Sequence, residues 1–115
     1  QTIVCDDGNG GLLGFLIWST DAHELELLWM AVDPSCVRRG IGRRLVDAVL
    51  CHLTTEKRVF LRTATTDSVI PGTPFSGSAY KGTNNFFNQL GFSEATRISD
   101  YWGPGDHCLI MEKVI

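Results

Sequence analysis

The feature that most constrains this chain is a change of hydrophobic period around a glycine turn. Glu24 to Val32 (ELELLWMAV) begins with strict polar–apolar alternation and ends as a continuous apolar run, the pattern of a strand entering the middle of a sheet. Asp33, Pro34 and Ser35 stop it. Beyond the turn, apolar residues recur four apart at Ile41, Leu45, Val49 and Leu53, and Val46, Ala48 and Leu50 widen the stripe. Arg43, Arg44, Asp47 and Thr54 fall on the opposite arc, so the segment predicts an amphipathic helix lying on a sheet. Arg58 to Thr63 (RVFLRT) is β-prone again. Strand, helix and strand then form one crossover between parallel strands.

The turn itself, Cys36 to Leu45 (CVRRGIGRRL), pairs two glycines with four arginines. Three readings compete: a nucleic-acid contact, a cradle for a phosphate ester, or a helix start with solvated charges. Nucleic-acid binders carry a basic excess that displaces counterions. Here the net charge is −3 and the only dense basic cluster is Arg38, Arg39, Arg43 and Arg44, so nucleic acid is not the expected partner. A glycine-rich turn between strand and helix presents free backbone N–H groups and the positive end of the helix dipole. Glycine lets a phosphate approach closely, and arginine adds bidentate contacts. RRGIGRR therefore suits a pyrophosphate. It is not a Walker loop, since no GK[ST] follows, nor the dinucleotide GxGxxG, since the third glycine is absent. On the paired glycines alone, the solvated helix start stays open.

The rest of the chain fills out an α+β domain. Thr2 to Cys5 is a short β-prone run, and Leu12 to Ser19 (LLGFLIWS) reads as a buried strand that forms a hairpin with Glu24–Val32 across the turn STDAH. Asp67 to Gly82 is a long Gly, Pro and Ser-rich connection, either functional or a mobile surface loop. Thr83 to Leu90 predicts a short helix, with Ser78 as an alternative start, closed by Gly91. Phe92–Tyr101 and Cys108–Val114 are two last strands around the turn WGPGDH. A length of 115 residues suits one domain, 1–115, with one core. No apolar run approaches the roughly 20 residues of a membrane helix, and no signal peptide or membrane partner is expected. The four cysteines contain no CxxC pair and the three histidines form no ligand cluster, so the expectation is reduced thiols, a cytoplasmic protein and no metal.

The order of these elements carries a resemblance. LLWMAVDPSCVRRGIGRRLVDAVL (Leu27–Leu50) resembles the acetyl-CoA-binding segment of the GNAT superfamily of acyl-CoA-dependent N-acyltransferases. That segment is an apolar strand ending "AV.P", then [QR]-x-x-G-x-[GA], then an amphipathic helix. Downstream, NNFFNQLGF (Asn84–Phe92) resembles the family's second signature, roughly "xxFYxxLGF". The resemblance implies a mixed, mostly antiparallel sheet, with central parallel strands splayed at the acyl-CoA site and helices on both faces. In family terms the usual first strand and first two helices would precede Gln1. It implies acyl transfer from CoA, chiefly acetyl, to an amine. The pyrophosphate would lie at Val37, Arg38, Arg39, Gly40, Ile41, Gly42 and Arg43, and the pantetheine arm beside Met30, Ala31 and Val32.

Two positions depart from the family pattern. Val37 stands where Gln or Arg is usual, which backbone binding tolerates. Phe87 stands where many members carry the tyrosine that protonates the leaving thiolate. Amine attack on a thioester needs a neutral amine, hence a base. Glu26 is the first candidate, since histone-acetylating members carry a glutamate at the matching place, and Glu24 is the second. The alternative is that both simply mark a wet sheet face. Tyr101 and Tyr80 are the candidate substitutes for the missing acid, while His23 and His107 read as solvated turn residues. A CoA-binding module without turnover is the rival reading.

One expectation concerns cover. The helix from Ile41 shields one sheet face, and strands such as LLGFLIWS carry apolar side chains to both. Homodimerisation, with Cys108–Val114 as a pairing edge, would cover the second face. Alternatively the long connection, with Val69, Ile70 and Phe75, folds back as a lid.

Overall fold

The computed structural model describes residues 1–36, 39–51, 53, 58–74 and 76–114. The chain divides into two compact units, Gln1–Val59 with Val114–Ile115, and Phe60–Lys113.

In the first unit, β1 (Thr2–Asp6), β2 (Leu12–Thr20) and β3 (Glu24–Val32) form an antiparallel meander. Aspartates make both turns: Asp7 Oδ1 accepts the N–H groups of Asn9 and Gly11, and Asp21 Oδ1 those of His23 and Glu24. After the crossover helix α1 (Ile41–Leu50), β4 (Arg58–Ala64) starts beside the start of β3. There the Arg58 N–H donates to His23 O at 3.2 Å, and Arg58 Nη1 meets Glu24 Oε1 at 3.2 Å. Two strand starts side by side are parallel, as the crossover predicts. The helix is shorter than its pattern: Leu53 lies past its end, and Thr54 falls outside the described residues.

Residues directly opposite one another in an antiparallel pair share a face. Gly14, Leu16 and Trp18 of β2 therefore lie with Val32, Met30 and Leu27 of β3, and α1 packs on that side through Ile41, Leu45, Val46 and Val49, all buried. Burying each such aliphatic side chain contributes roughly 1.5–3 kcal/mol, which is what holds a ten-residue helix in place. Gly14 marks the closest approach. A Cβ there would sit 2.9 Å from Ala31 O, 3.2 Å from Ile41 Cγ2 and 3.3 Å from Leu45 Cδ1.

Strand β3 does not keep one alternation. The register slips between Ile17 and Trp18, so Leu28 is an extra residue, a β-bulge. Leu25 and Leu27 are buried before it, whereas Leu28 and Trp29 are 44% and 72% exposed. The apolar run is therefore not buried throughout, although β3 lies in the middle of the sheet as its pattern predicts. Past the bulge, Trp29 and Ala31 share the face of Glu26, opposite α1, together with Phe15, Ile17 and the exposed Val4. Within this unit α1 covers one side of the sheet and this side keeps exposed apolar residues.

In the second unit the rest of β4 is followed by α2 (Lys81–Gln89), β5 (Ser93–Gly103) and β6 (Asp106–Val114). β5 and β6 form an antiparallel hairpin, and β6 lies between β4 and β5. The last strand is thus flanked on both sides and offers no pairing edge, which corrects the expected dimer contact. The edge is β5, and it is poorly suited to adding another strand: its register breaks twice, and an Arg97–Glu94 ion pair sits along it. In sheet order the strands run β1-β2-β3-β4-β6-β5, a mixed and mostly antiparallel sheet with one parallel pair.

The long connection after β4 is largely tied down rather than a free loop. Thr65 N–H donates to His107 O, Ser68 Oγ donates to the same carbonyl and accepts the His107 N–H, and Val69 N–H donates to Gly105 O. Gly77 N–H donates to Ser68 O at 2.6 Å, and a Cβ on Gly77 would lie 1.9 Å from Thr65 O, so only glycine fits. Of the residues expected to form a lid, Val69 is 53% exposed and Phe75 lies outside the described residues. The helix α2 begins two residues before the expected Thr83, after a short 3-10 turn, and Gly91 follows it at φ 93°.

Candidate functional site

The strand β3 ends in a turn built by one carboxylate. Asp33 N–H donates to Leu13 O at 2.7 Å, and Asp33 Oδ1 accepts the hydroxyl and the N–H of Ser35 at 2.7 and 2.9 Å. Those two donors, the hydroxyl foremost, hold the Asp33 carboxyl below the usual carboxylate range. A single 3-10 turn, Pro34–Cys36, follows, with Cys36 buried. Val37 and Arg38 lie outside the described residues.

Gly40 is the N-cap of α1, in the left-handed region at φ 77°, a conformation glycine adopts without penalty. It brings no capping side chain. The first intrahelical bond runs from Arg44 N–H to Gly40 O at 3.0 Å. The N–H groups of Ile41, Gly42 and Arg43 therefore precede the ladder, and among the described residues no N-cap side chain reaches them. No acidic residue occupies the first turn, and Arg39, Arg43 and Arg44 are exposed around it. The result is a concentrated positive potential at the helix start, anchored to the sheet by Ile41 and Leu45 against Gly14. Such a helix start suits a phosphate diester or pyrophosphate.

Met30, Ala31 and Val32 form the last residues of β3, opposite Leu16, Phe15 and Gly14, directly before this turn. The unit therefore brings the strand end and the glycine turn together. Glu24 and Glu26 lie on the β3 face opposite α1, Glu24 in its ion pair with Arg58 and Glu26 half-buried opposite Ser19. Tyr101 belongs to the second unit, where it is 44% exposed and packs edge-to-face on Trp102 at 5.0 Å. Tyr80 is half-buried at the end of the 3-10 turn before α2. Phe87 is a core residue, 4% exposed, with Phe86 and Phe92 edge-to-face at 5.0 and 5.4 Å.

Sequence reasoning passed over several positions that shape these elements. Gly14 interrupts an apolar strand, the usual mark of a close backbone approach. Asn84 is 7% exposed: its Oδ1 accepts from Thr63 Oγ1 at 3.0 Å, and its Nδ2 donates to Ala64 O at 3.2 Å, fixing α2 to β4. No periodicity separates it from the exposed asparagines beside it. Among the described residues, no group of three or more His, Cys, Asp or Glu is placed to hold a metal ion, and no helix is long and apolar enough to cross a membrane.

Comparisons with known proteins agree with this geometry. The family model for the acetyltransferase (GNAT) domain matches residues 1–94. A putative GNAT-family acetyltransferase from Desulfovibrio desulfuricans superposes with a TM-score of 0.79 at 21% identity, over 97% of this chain and 67% of that one. An aminoglycoside 6'-N-acetyltransferase complexed with coenzyme A gives 0.78 at 18% identity, covering 98% and 71%. The ribosomal-protein-S18-alanine N-acetyltransferase from Escherichia coli gives 0.70 at 24% identity, covering 93% and 64%. The chain thus spans about two thirds of the length of these neighbours. No curated protein sequence matches it. The mixed sheet, the crossover helix with its glycine N-cap and the family match agree: the chain belongs to the GNAT acetyltransferase family.

Proposed function

We propose that this protein transfers an acetyl group from acetyl-CoA to a primary amine, working as a single domain over residues 1–115. The observation that carries the reading is the uncapped start of α1. Three backbone donors, a left-handed glycine and exposed arginines, with no acidic residue in that first turn, match a CoA pyrophosphate. In this reading Arg39, Gly40, Ile41, Gly42 and Arg43, together with Val37 and Arg38, hold the diphosphate, and the pantetheine arm runs beside Met30, Ala31 and Val32. The CoA complex of the aminoglycoside acetyltransferase neighbour supports the choice of donor.

The reaction forms one C–N bond and breaks one C–S bond. A neutral amine attacks the thioester carbonyl, its surplus proton passes to a base directly or through water, and CoA departs as the thiolate. Glu26 is the assigned base, since it stands where histone-acetylating members of the family carry a glutamate, and Glu24 is the second candidate. Phe87 can donate no proton, but a thiol of pKa about 8.5 is a tolerable leaving group. Tyr101 and Tyr80 are the candidates for that proton. The burial of Phe87 in an aromatic cluster favours one second reading, a CoA-binding module with weak turnover.

Calorimetry with acetyl-CoA, followed by a thiol-release assay over a panel of amines, separates these readings. Gly42→Glu sets a carboxylate against the diphosphate and is expected to weaken binding about 100-fold or more. Unchanged affinity in that variant refutes this site. Tight binding with no thiol release for any amine selects the binding module.

A further inference from the structure

We infer that Asp100 and His107 form a proton switch in the β5–β6 hairpin: neutral His107 locks the bulge at Ser99–Trp102, and protonated His107 releases it. In the hairpin register Ile98 pairs with Cys108 and Gly103 with Asp106, so four residues of β5 stand against His107 alone. Asp100 lies among them with a left-handed backbone, φ 55°, the only non-glycine residue so placed among those described. Such a conformation carries a cost and persists only where the surroundings enforce it. The enforcing contact is a hydrogen bond from Asp100 N–H to His107 Nδ1 at 3.0 Å. A second bond holds the side chain, since Asp100 Oδ1 accepts the Gly105 N–H at 2.8 Å.

The first bond exists in one protonation state only. An imidazole nitrogen that accepts carries no proton, so this ring is neutral with its proton on Nε2, whereas both nitrogens of an imidazolium donate. Protonation at Nδ1 sets two N–H groups against each other. An acceptor lies close by, Asp100 Oδ1 at 3.7 Å from Nδ1. Turning to it draws the carboxylate from Gly105, and the movement falls on Asp100 because its partners are fixed. His107 N–H donates to Ser68 Oγ at 3.0 Å, and its carbonyl accepts the Thr65 N–H and the Ser68 hydroxyl, each at 3.2 Å. Gly105 O accepts the Val69 N–H at 2.8 Å, and a Cβ on Gly105 would lie 2.0 Å from Val69 O. The charges around the imidazole are Asp100 on β5, Asp67 on the connection after β4, and Asp106 beside it on β6. Arg97 of β5 pairs with Glu94, Arg62 of β4 lies over the Phe60 ring at 5.4 Å, and Lys113 of β6 donates to Leu90 O. The imidazole thus has an N–H to accept and the imidazolium a carboxylate to turn to, two discrete arrangements of one bulge. The chain leads from Asp100 directly into Tyr101 and Trp102, 44% and 48% exposed, so protonation alters the surface that the hairpin presents.

The test is an NMR titration of the protein alone, from pH 8 down to pH 5. At pH 8 the His107 ring nitrogens should show the Nε2–H tautomer. As His107 protonates, exchange protection of the Asp100 amide, corrected for the intrinsic pH dependence, should fall up to about tenfold, the worth of one net hydrogen bond. The Asp100 HN–Hα coupling, which reports φ, should change with the same midpoint as the His107 ring. The indole N–H of Trp102 should follow that midpoint, whereas that of Trp18, buried in the other unit, should not. His107→Asn offers the same N–H an acceptor that does not titrate, and should hold Asp100 in its high-pH state throughout. An Nδ1–H tautomer at pH 8, or an Asp100 coupling and protection that stay fixed while His107 titrates, overturns the switch, and neither observation needs a variant. A transition that survives in His107→Asn overturns it too. Because no acyl donor is present, such a result leaves the acetyl-transfer reading untouched.

Discussion

Gly14→Ala tests whether the seat of α1 on the sheet determines the anion site. The added methyl would meet Ala31 O at 2.9 Å, Ile41 Cγ2 at 3.2 Å and Leu45 Cδ1 at 3.3 Å. The carbonyl belongs to a central strand and cannot move without disturbing its ladder. Ile41 and Leu45 are 4% and 2% exposed, with little empty space to retreat into. Overpacking of this kind costs about 1–3 kcal/mol. Alanine also lowers the entropy of the unfolded chain, a stabilising term of about 0.4–1 kcal/mol. Because the nearest atom is a backbone carbonyl the clash outweighs the entropy term, leaving a net loss of up to about 2.6 kcal/mol, or up to roughly 10 °C in Tm for a domain of this size. The easiest relief is to tilt the first turn of α1 outward, which displaces the N–H groups of Ile41, Gly42 and Arg43. Acetyl-CoA affinity should therefore fall by more than the stability loss alone explains, measured by calorimetry well below Tm. A variant that melts higher than the parent, or that melts lower but binds acetyl-CoA unchanged, refutes the coupling.

Other perturbations probe separate parts of the molecule. Glu26→Gln should lower kcat/KM about 100-fold to 10,000-fold, with partial recovery at high pH where the amine deprotonates unaided; an unchanged pH–rate profile removes Glu26 from the mechanism. Asn84→Ala leaves Thr63 Oγ1 and Ala64 O without their buried partner and should cost about 1–3 kcal/mol by urea unfolding, against near neutrality for exposed Asn85→Ala. Hydrogen bonds, above all from the Thr65 hydroxyl, hold the Asp67 carboxyl below its ordinary range. Its contribution to stability is thus full above about pH 4 and lost as pH falls through the lowered value, so Asp67→Asn should flatten the acid limb of Tm against pH. Light scattering at micromolar concentration should give twice the monomer mass if a second copy covers the exposed Val4 and Trp29 face; a clean monomer rejects the homodimer.

How much was legible depended on whether a feature is periodic. The stripe at Ile41, Leu45 and Val49 reports its own burial, because a helix on a sheet can bury only one arc, and the crossover then makes β3 and β4 parallel. The glycine N-cap of α1 was legible for a related reason: a turn between strand and helix that needs a left-handed residue demands glycine. Non-periodic features were opaque. The bulge at Leu28 removes one step from the β3 alternation, and nothing in ELELLWMAV says where the step falls. Strand order was hidden as well. The last strand in sequence became an interior one because the β5–β6 hairpin folds back onto β4, a choice made by pairing and not by composition.

That bulge has a consequence for the chemistry proposed. Without it, Glu26 and Val32, six residues apart, would share a face, and the glutamate would point toward the side that α1 fills. With it, Leu25 and Leu27 turn toward α1, Glu26, Trp29 and Ala31 turn away, and Met30 and Val32 return to the α1 side at Leu16 and Gly14. One strand can then present a carboxylate on one face and still keep its end flush with the helix start that carries the open N–H groups. Deleting Leu28 separates these functions. Either Glu26 turns toward Leu45 and Val49, or Met30 and Val32 leave the helix and Trp29 replaces them. Each outcome sets a charge or an oversized ring into a packed core, at several kcal/mol. The deletion should therefore abolish cooperative unfolding, whereas Leu28→Ala, which keeps the extra residue and trims an exposed side chain, should leave Tm within a few degrees. A Leu28 deletion that folds and melts like the parent would falsify the assignment of the two faces.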